Sequence, residues 1–203
     1  AQKKWPESAA AFQKGLSRQP VPALAARTYV SLQAADKLAD ATTLANQWMR
    51  DHPQDPTIPL LLAEQSQQKK DVAAAKSGYA RVLEIAPDNA VALNNLAWLL
   101  TEEKNPKGLE YAEHAQRLAP FNPGILDTLG WALTHNGQAK RGVQILRMAS
   151  SLAPAQGDIR LHLAQALASA GDKDGARKEL TELTKLDKAS PIRVEAEKLL
   201  ATL

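Results

Sequence analysis

The sequence predicts an all-α protein built from stacked helical hairpins, and three observations support this prediction. Ala and Leu dominate a hydrophobic fraction of 44%, whereas aromatic residues make up 4% of the 203 residues. Ala and Leu favour helices, while strands prefer branched and aromatic side chains. No segment alternates polar and apolar residues as a half-buried strand requires. Prolines recur at nearly constant intervals, which indicates an internal repeat.

Five prolines define a period of 33 or 34 residues, and each follows an Ala/Leu-rich stretch: Pro20, Pro53, Pro87, Pro120 and Pro154. A period of about 34 is typical of helix–turn–helix units, which bury their apolar faces only by stacking on their neighbours. Alignment on these prolines predicts five full repeats, which span residues 22–55, 56–89, 90–122, 123–156 and 157–190.

Each predicted repeat contains a first helix, a short polar turn and a second helix that leads to the proline. The turns hold residues that end one helix or cap the next. They are Asp36, Lys70-Asp71, Asn105-Pro106, Asn136-Gly137 and Gly171-Asp172. Several first helices begin with a proline, whose missing N–H would lack a partner there anyway. These prolines are Pro22, Pro56, Pro123 and Pro191.

The two ends of the chain differ from the repeats. Residues 1–21 match the second helix of a repeat, and no first helix precedes them. We expect this segment to be the remainder of a truncated leading repeat from a longer repeat protein. Residues 191–203 predict a C-terminal capping helix, which turns Leu199 and Leu200 towards the last repeat and charged residues outward.

Charge and cysteine content argue against several classes of function. The net charge is +3, from 25 basic and 22 acidic residues. The two signs are interspersed without a Lys/Arg block, which argues against a nucleic-acid partner. The absence of cysteine excludes disulfides, thiolate metal sites and a cysteine nucleophile. No apolar run of about 18 residues occurs, so we expect no membrane span in this segment.

The sequence contains no motif of an established catalytic, metal or cofactor site. His135 and His162 lie on first helices of successive repeats, but two ligands do not make a metal site. Acidic pairs such as Glu102-Glu103 are explained as solvated helix faces. We therefore predict a protein that is not an enzyme and that binds neither a metal nor a cofactor.

The third and fourth repeats resemble the tetratricopeptide repeat (TPR) family in their order of large and small residues. The third repeat has Leu93, Leu96, Ala97 and Leu100, followed by Gly108, Ala112, Ala115 and Pro120. The fourth has Leu126, Leu129, Gly130 and Leu133, followed by Gly142, Leu146, Ala149 and Pro154. Small residues let paired helices approach where large ones interlock. The resemblance implies a right-handed α-solenoid that serves as a protein-interaction scaffold.

The resemblance to the TPR family also implies a concave groove, lined by the first helices, that binds a protein or peptide. The family's groove positions fall here on Glu64, Gln67, Asn94, Asn95, Trp98, Thr101, Asp127, Thr128, Trp131, Thr134, His135, His162 and Gln165. TPR proteins that bind chaperone C-termini hold a carboxylate with Lys and Arg at such positions. These basic residues are absent here, which disfavours a chaperone tail as the partner.

Trp98 and Trp131 occupy the same position of adjacent repeats, 33 residues apart. We expect them to lie in register on neighbouring helices. The two indoles either form a contact surface for a chain-like ligand, where Trp is a frequent anchor, or pack between repeats. The sequence leaves both interpretations open.

Residues 90–186 are similar to the C-terminal repeats of long bacterial TPR proteins. The stretches NNLAWLL, LDTLGWAL and IRLHLAQALASAGDKDGARKEL carry this similarity. These motifs recur in several bacterial TPR proteins, and the nearest resemblance is to the TPR lipoproteins that accompany exosortase (PEP-CTERM) sorting and exopolysaccharide export, which implies a scaffold in the periplasm or cell envelope. A cytoplasmic location stays open. The alternative function is a structural module that spaces other domains or self-associates.

Overall fold

The computed structural model describes residues 4–203, and this part of the chain folds into α-helices without a β-strand. The predicted all-α fold class is confirmed. In the described residues twelve helices follow one another: α1 (Trp5–Arg18), α2 (Pro22–Ala34), α3 (Leu38–Asp51), α4 (Thr57–Gln68), α5 (Val72–Ile85), α6 (Ala90–Glu102), α7 (Lys107–Leu118), α8 (Pro123–His135), α9 (Ala139–Leu152), α10 (Gly157–Ser169), α11 (Lys173–Leu183) and α12 (Pro191–Leu200). The first three residues of the predicted leading segment 1–21 lie outside the described residues.

The chain divides into two compact units, Ala1–Pro87 and Asp88–Leu203. In the first unit α2 contacts α1, α3 and α4, and α4 pairs with α5. In the second unit α6, α8 and α10 pair with α7, α9 and α11. The helices α6, α8, α10 and α12 also contact one another in succession, and we call them the first-helix row. Helix bounds alone do not fix where one repeat ends, so the repeat limits stay a prediction.

The hairpin turns repeat one backbone conformation. One residue in each of five turns has a positive φ, and these residues are 33 or 34 positions apart: Asp36 (59°), Lys70 (61°), Lys104 (58°), Gly137 (74°) and Gly171 (89°). A left-handed residue after a helix lets the chain reverse while satisfying the last carbonyl groups. At the start of several helices, an N-cap side chain accepts a hydrogen bond from a backbone N–H group of the first turn. The capping residues are Asp71, Asn89, Asn122 and Asp172.

Small residues bring the two helices of a hairpin close together. A Cβ atom added to Gly142 of α9 would lie 2.4 Å from Oγ1 of Thr134 and 2.7 Å from the carbonyl oxygen of Gly130, both on α8. A Cβ added to Gly130 would lie 2.4 Å from Cγ of Leu146, which is fully buried. The small-against-large alternation noted in the sequence is therefore the packing contact between paired helices.

Candidate ligand-binding surface on the first helices

The first-helix row brings three aromatic rings together from three successive repeats. Trp98 of α6 and Trp131 of α8 stack with ring centroids 6.3 Å apart and an angle of 19° between their planes. His162 of α10 lies 5.4 Å from Trp98 and 4.6 Å from Trp131, measured between centroids. We call Trp98, Trp131 and His162 the aromatic cluster. All three side chains are half-buried.

Polar contacts hold Trp131 in this arrangement. Its indole N–H donates to Oε1 of Glu102 at 2.8 Å. The ring of His135, one turn later on α8, lies 4.1 Å from the Trp131 ring, and its Nδ1 donates to the Trp131 carbonyl oxygen at 3.1 Å. Because buried or half-buried indoles usually need a partner for their N–H, the Glu102 carboxylate explains why Trp131 adopts this orientation.

A carboxylate also orients His162. Nδ1 of His162 donates to the Asp127 carboxylate, with distances of 2.9 Å to Oδ1 and 3.0 Å to Oδ2. The two side chains are 14% and 13% exposed, so the contact is largely shielded from water. Since a carboxylate only accepts hydrogen bonds, Nδ1 carries a hydrogen, and Nε2 is an acceptor whenever the ring is neutral.

The other polar residues predicted for the groove do not join the aromatic cluster, and some of them lie on a different helix. Asn94, Asn95 and Gln165 are half-buried. Oδ1 of Asn94 and Oε1 of Gln165 are buried and have no hydrogen-bond partner. Glu64 and Gln67 belong to the first unit, where both are half-buried on α4, and Gln67 accepts a hydrogen bond from the Tyr79 hydroxyl at 2.5 Å.

The expectation that Thr101 and Thr128 line the groove is wrong, because both are buried. Thr101 is 1% exposed, and its Oγ1 would lie 2.6 Å from a Cβ on Gly108. The hydroxyl thus faces the second helix α7 and not the ligand side of α6. Thr128 is 4% exposed and donates to the carbonyl oxygen of Gly124 at 3.1 Å within its own helix. Thr134 is half-buried and bonds in the same way to Gly130.

Glu102 is the residue of this surface that sequence reasoning missed. The sequence predicts Glu102 as part of a solvated helix face, and it is exposed, but it also accepts the hydrogen bond from Trp131. Glu102 is the thirteenth residue of its predicted repeat, a position that corresponds to His135 in the next repeat. That correspondence was the signal that could have identified it.

The first unit has a polar centre of its own around Asp55, which precedes α4. Burial alone would raise the pKa of Asp55. Hydrogen bonds from the side chain and backbone N–H of Thr57 and from the indole of Trp48, together with nearby His52, outweigh that effect and lower it. Burial raises the pKa of Tyr29, whose hydroxyl donates to Gln65 at 3.0 Å. These hydrogen bonds connect α3 with the start of α4, and α2 with α4.

Within residues 4–203, the side chains of His, Asp and Glu form no group of three or more that could hold a metal ion. None of the helices in the described part of the chain combines the length and apolar character needed to cross a bilayer.

The hairpins and the first-helix row define a helical repeat protein that presents an aromatic and polar surface. The Tetratricopeptide repeat family model matches residues 133–203. The TPR repeat-containing protein PA4667 of Pseudomonas aeruginosa is 27% identical over 165 residues. That alignment covers 78% of this chain and 28% of the relative, so the chain spans little more than a quarter of the relative's length.

Solved structures agree with the family match. YrrB, described as a TPR protein with an unusual peptide-binding site, has a TM-score of 0.72 and 16% identity, with 94% of this chain and 99% of YrrB covered. The pilF protein of Pseudomonas aeruginosa also has a TM-score of 0.72 and 16% identity, with 99% of this chain and 100% of that chain covered. These structures show a TPR-like solenoid fold, which agrees with the Tetratricopeptide repeat model that matches residues 133–203.

Proposed function

We propose that this chain is a non-catalytic interaction scaffold that binds a peptide or protein partner on the first-helix row of the second unit. The aromatic cluster is the observation that carries the proposal. Two indoles and an imidazole from three repeats meet on one face and remain partly exposed. Trp anchors interfaces because it offers a large rigid contact area at a small cost in conformational entropy.

The hydrogen bonds that two carboxylates accept from the aromatic cluster support the same proposal. Glu102 and Asp127 hold Trp131 and His162 in fixed orientations before any ligand arrives. A surface that is ordered in advance loses less entropy on binding than one that must rearrange. The TPR fold itself is in general a scaffold for protein interactions, and YrrB is described as having a peptide-binding site.

The cellular location of this scaffold is a separate proposal. The similarity of residues 90–186 to repeats of bacterial export and sorting lipoproteins supports a role in the cell envelope. A role in protein sorting or exopolysaccharide export is the narrower form of this proposal. Fractionation of bacteria that produce the full-length protein tests the location, and recovery in the cytoplasm would contradict it.

Binding on the first-helix row is tested by selection from a displayed library of random peptides. The wild-type chain selects the peptides, and the double variant Trp98→Ala/Trp131→Ala removes those that bind elsewhere. The control variant Phe121→Ala deletes an aromatic ring that is 72% exposed in the α7–α8 loop. The proposal predicts peptides that bind the wild type and Phe121→Ala but not the double variant, provided that circular dichroism shows all three folded.

Two results would contradict the proposal. One is a selection that produces no Trp-dependent peptide. The other is sedimentation of the wild type as a stable dimer that the double Trp variant converts to a monomer. The second result would assign the surface to self-association and support the alternative of a structural module.

A further inference from the structure

Basic residues are distributed unevenly over the helices of the second unit. Helices α6 and α8 contain neither Lys nor Arg, and α10 contains Arg160 alone. The paired second helices α7, α9 and α11 contain eight: Lys107, Arg117, Lys140, Arg141, Arg147, Lys173, Arg177 and Lys178. Nε of Arg160 lies 3.4 Å from Oε2 of Glu179 on α11, so its charge is matched by a second-helix carboxylate.

The acidic residues of these first helices include the two that hold the aromatic cluster. Glu102 and Asp127 accept from Trp131 and His162, and Asp158 is exposed at the start of α10. The chain as a whole has a net charge of +3. Helices α6, α8 and α10 together have a net charge of −2, whereas α7, α9 and α11, which also contain five acidic residues, have a net charge of +3. The negative balance of the cluster's helices favours cationic ligands.

Hydrogen-bond acceptors lie in and beside the aromatic cluster. Glu102 is exposed and uses Oε1 for Trp131, which leaves Oε2 for a ligand. Asp127 accepts a hydrogen bond from Nδ1 of His162, so Nε2 is a further acceptor whenever the imidazole is neutral. Beside these atoms lie indole rings, whose faces carry the negative part of the aromatic quadrupole and attract cations.

We propose that the aromatic cluster and Glu102 bind the guanidinium group of an arginine in a basic peptide segment. The inference rests on the proposed function and specifies its ligand. A guanidinium is planar, stacks on indole and presents five N–H donors, whereas the ammonium of lysine is compact and more strongly hydrated. The ring faces and carboxylate oxygen at the cluster match arginine in shape, charge and hydrogen bonding.

The test uses the Trp-dependent peptides of the library selection, which bind the wild type but not the Trp98→Ala/Trp131→Ala variant. We expect them to be enriched in arginine. In a selected peptide the critical arginine is replaced by citrulline, which keeps the shape and loses the charge, and separately by lysine. Isothermal titration calorimetry should show a loss of affinity of about tenfold or more with citrulline and a smaller loss with lysine.

Glu102→Gln tests the site on the protein side without removing a packed ring. Gln keeps an oxygen for the Trp131 indole but loses the charge, so we expect the arginine peptide to bind several-fold more weakly and the citrulline peptide to be little affected. The matched control is Glu110→Gln, which makes the same charge change at an exposed position of α7 and should leave both affinities unchanged.

The outcomes separate the two proposals. Trp-dependent peptides without arginine enrichment, or equal affinity of the arginine and citrulline peptides, would overturn the arginine inference and leave the proposed function standing. An equal loss of affinity in Glu102→Gln and Glu110→Gln would also overturn the inference, because it would show a general charge effect. The absence of any Trp-dependent peptide would contradict the proposed function itself.

Discussion

His162 donates a hydrogen bond from Nδ1 to the Asp127 carboxylate at 2.9 Å, although the two residues lie 35 positions apart on different helices. The contact joins α8 to α10 and therefore links two repeats. It also fixes the imidazole beside Trp98 and Trp131, with centroid distances of 5.4 and 4.6 Å. One polar pair thus contributes both to stacking of the repeats and to the order of the proposed binding surface.

Asp127→Ala should destabilise the second unit. The substitution leaves the largely buried Nδ1–H of His162 without a partner, and hydrogen bonds to charged groups contribute about 1.5–3 kcal/mol. Urea denaturation measures the change in the free energy of unfolding. Asp158→Ala, an exposed carboxylate on α10, is the control and should change stability little. Equal effects of the two substitutions would show that the Asp127–His162 contact contributes nothing of its own.

The stacking of Trp98 on Trp131 should appear as a coupling free energy. Aromatic pairs contribute about 0.5–1.5 kcal/mol beyond the area they bury. A double-mutant cycle from Trp98→Ala, Trp131→Ala and the double variant isolates this value by urea denaturation. We expect the double variant to lose less stability than the two single variants summed. Strict additivity would contradict the stacking interaction.

Gly142→Ala should destabilise the protein even though Ala is the better helix former. The added Cβ would lie 2.7 Å from the backbone oxygen of Gly130, which cannot move aside easily, and such overpacking costs about 1–3 kcal/mol. The control is Gly124→Ala in the first turn of α8, where the nearest atom would be 3.4 Å away. There we expect no loss or a small gain in melting temperature. A stabilised Gly142→Ala variant would contradict the close approach of α8 and α9.

Much of this fold is predictable from the sequence because each repeat must bury the same face. The proline period predicted the helical hairpins, and the matched positions of Trp98 and Trp131 predicted rings in register on neighbouring helices, which the structure confirms. These features depend on spacing alone, and spacing is visible in the sequence.

The side-chain contacts of the surface were less predictable, since they depend on rotation about the helix axis and on partners from other repeats. The family resemblance places Thr101 in the groove, but it faces Gly108, whose missing side chain leaves room for the hydroxyl. The sequence predicts Glu102 as a solvent-facing residue, but it reaches Trp131 of the next first helix. Both contacts reach another helix, Gly108 on α7 and Trp131 on α8, so the helical periodicity of α6 alone does not reveal them.

Asp55 should make the stability of the first unit depend on acid pH. Its pKa is lowered in the folded protein below the ordinary value of an aspartate, because hydrogen bonds from Thr57 and Trp48 outweigh the effect of burial. A lowered pKa means that the ionised group stabilises the fold above the ordinary pKa of aspartate and that this contribution is lost as the pH falls through the folded pKa. Asp55→Asn should therefore cost stability at neutral pH, and the difference from wild type should shrink as the pH falls below the ordinary pKa of aspartate.

A ¹³C NMR titration of the Asp55 carboxyl measures the same effect directly. We expect a midpoint below the ordinary pKa of an aspartate side chain. A midpoint at or above that ordinary pKa would contradict the assigned hydrogen bonds.

The central claim is that a peptide binds at Trp98 and Trp131, and the indole N–H signals in ¹H–¹⁵N NMR spectra test it most directly. Trp48, which is 5% exposed in the first unit and donates to Asp55, serves as an internal reference. On titration with a selected peptide, the signals of Trp98 and Trp131 should shift together and saturate at one concentration, while that of Trp48 stays in place. Saturable binding that leaves the Trp98 and Trp131 signals unmoved would contradict the claim.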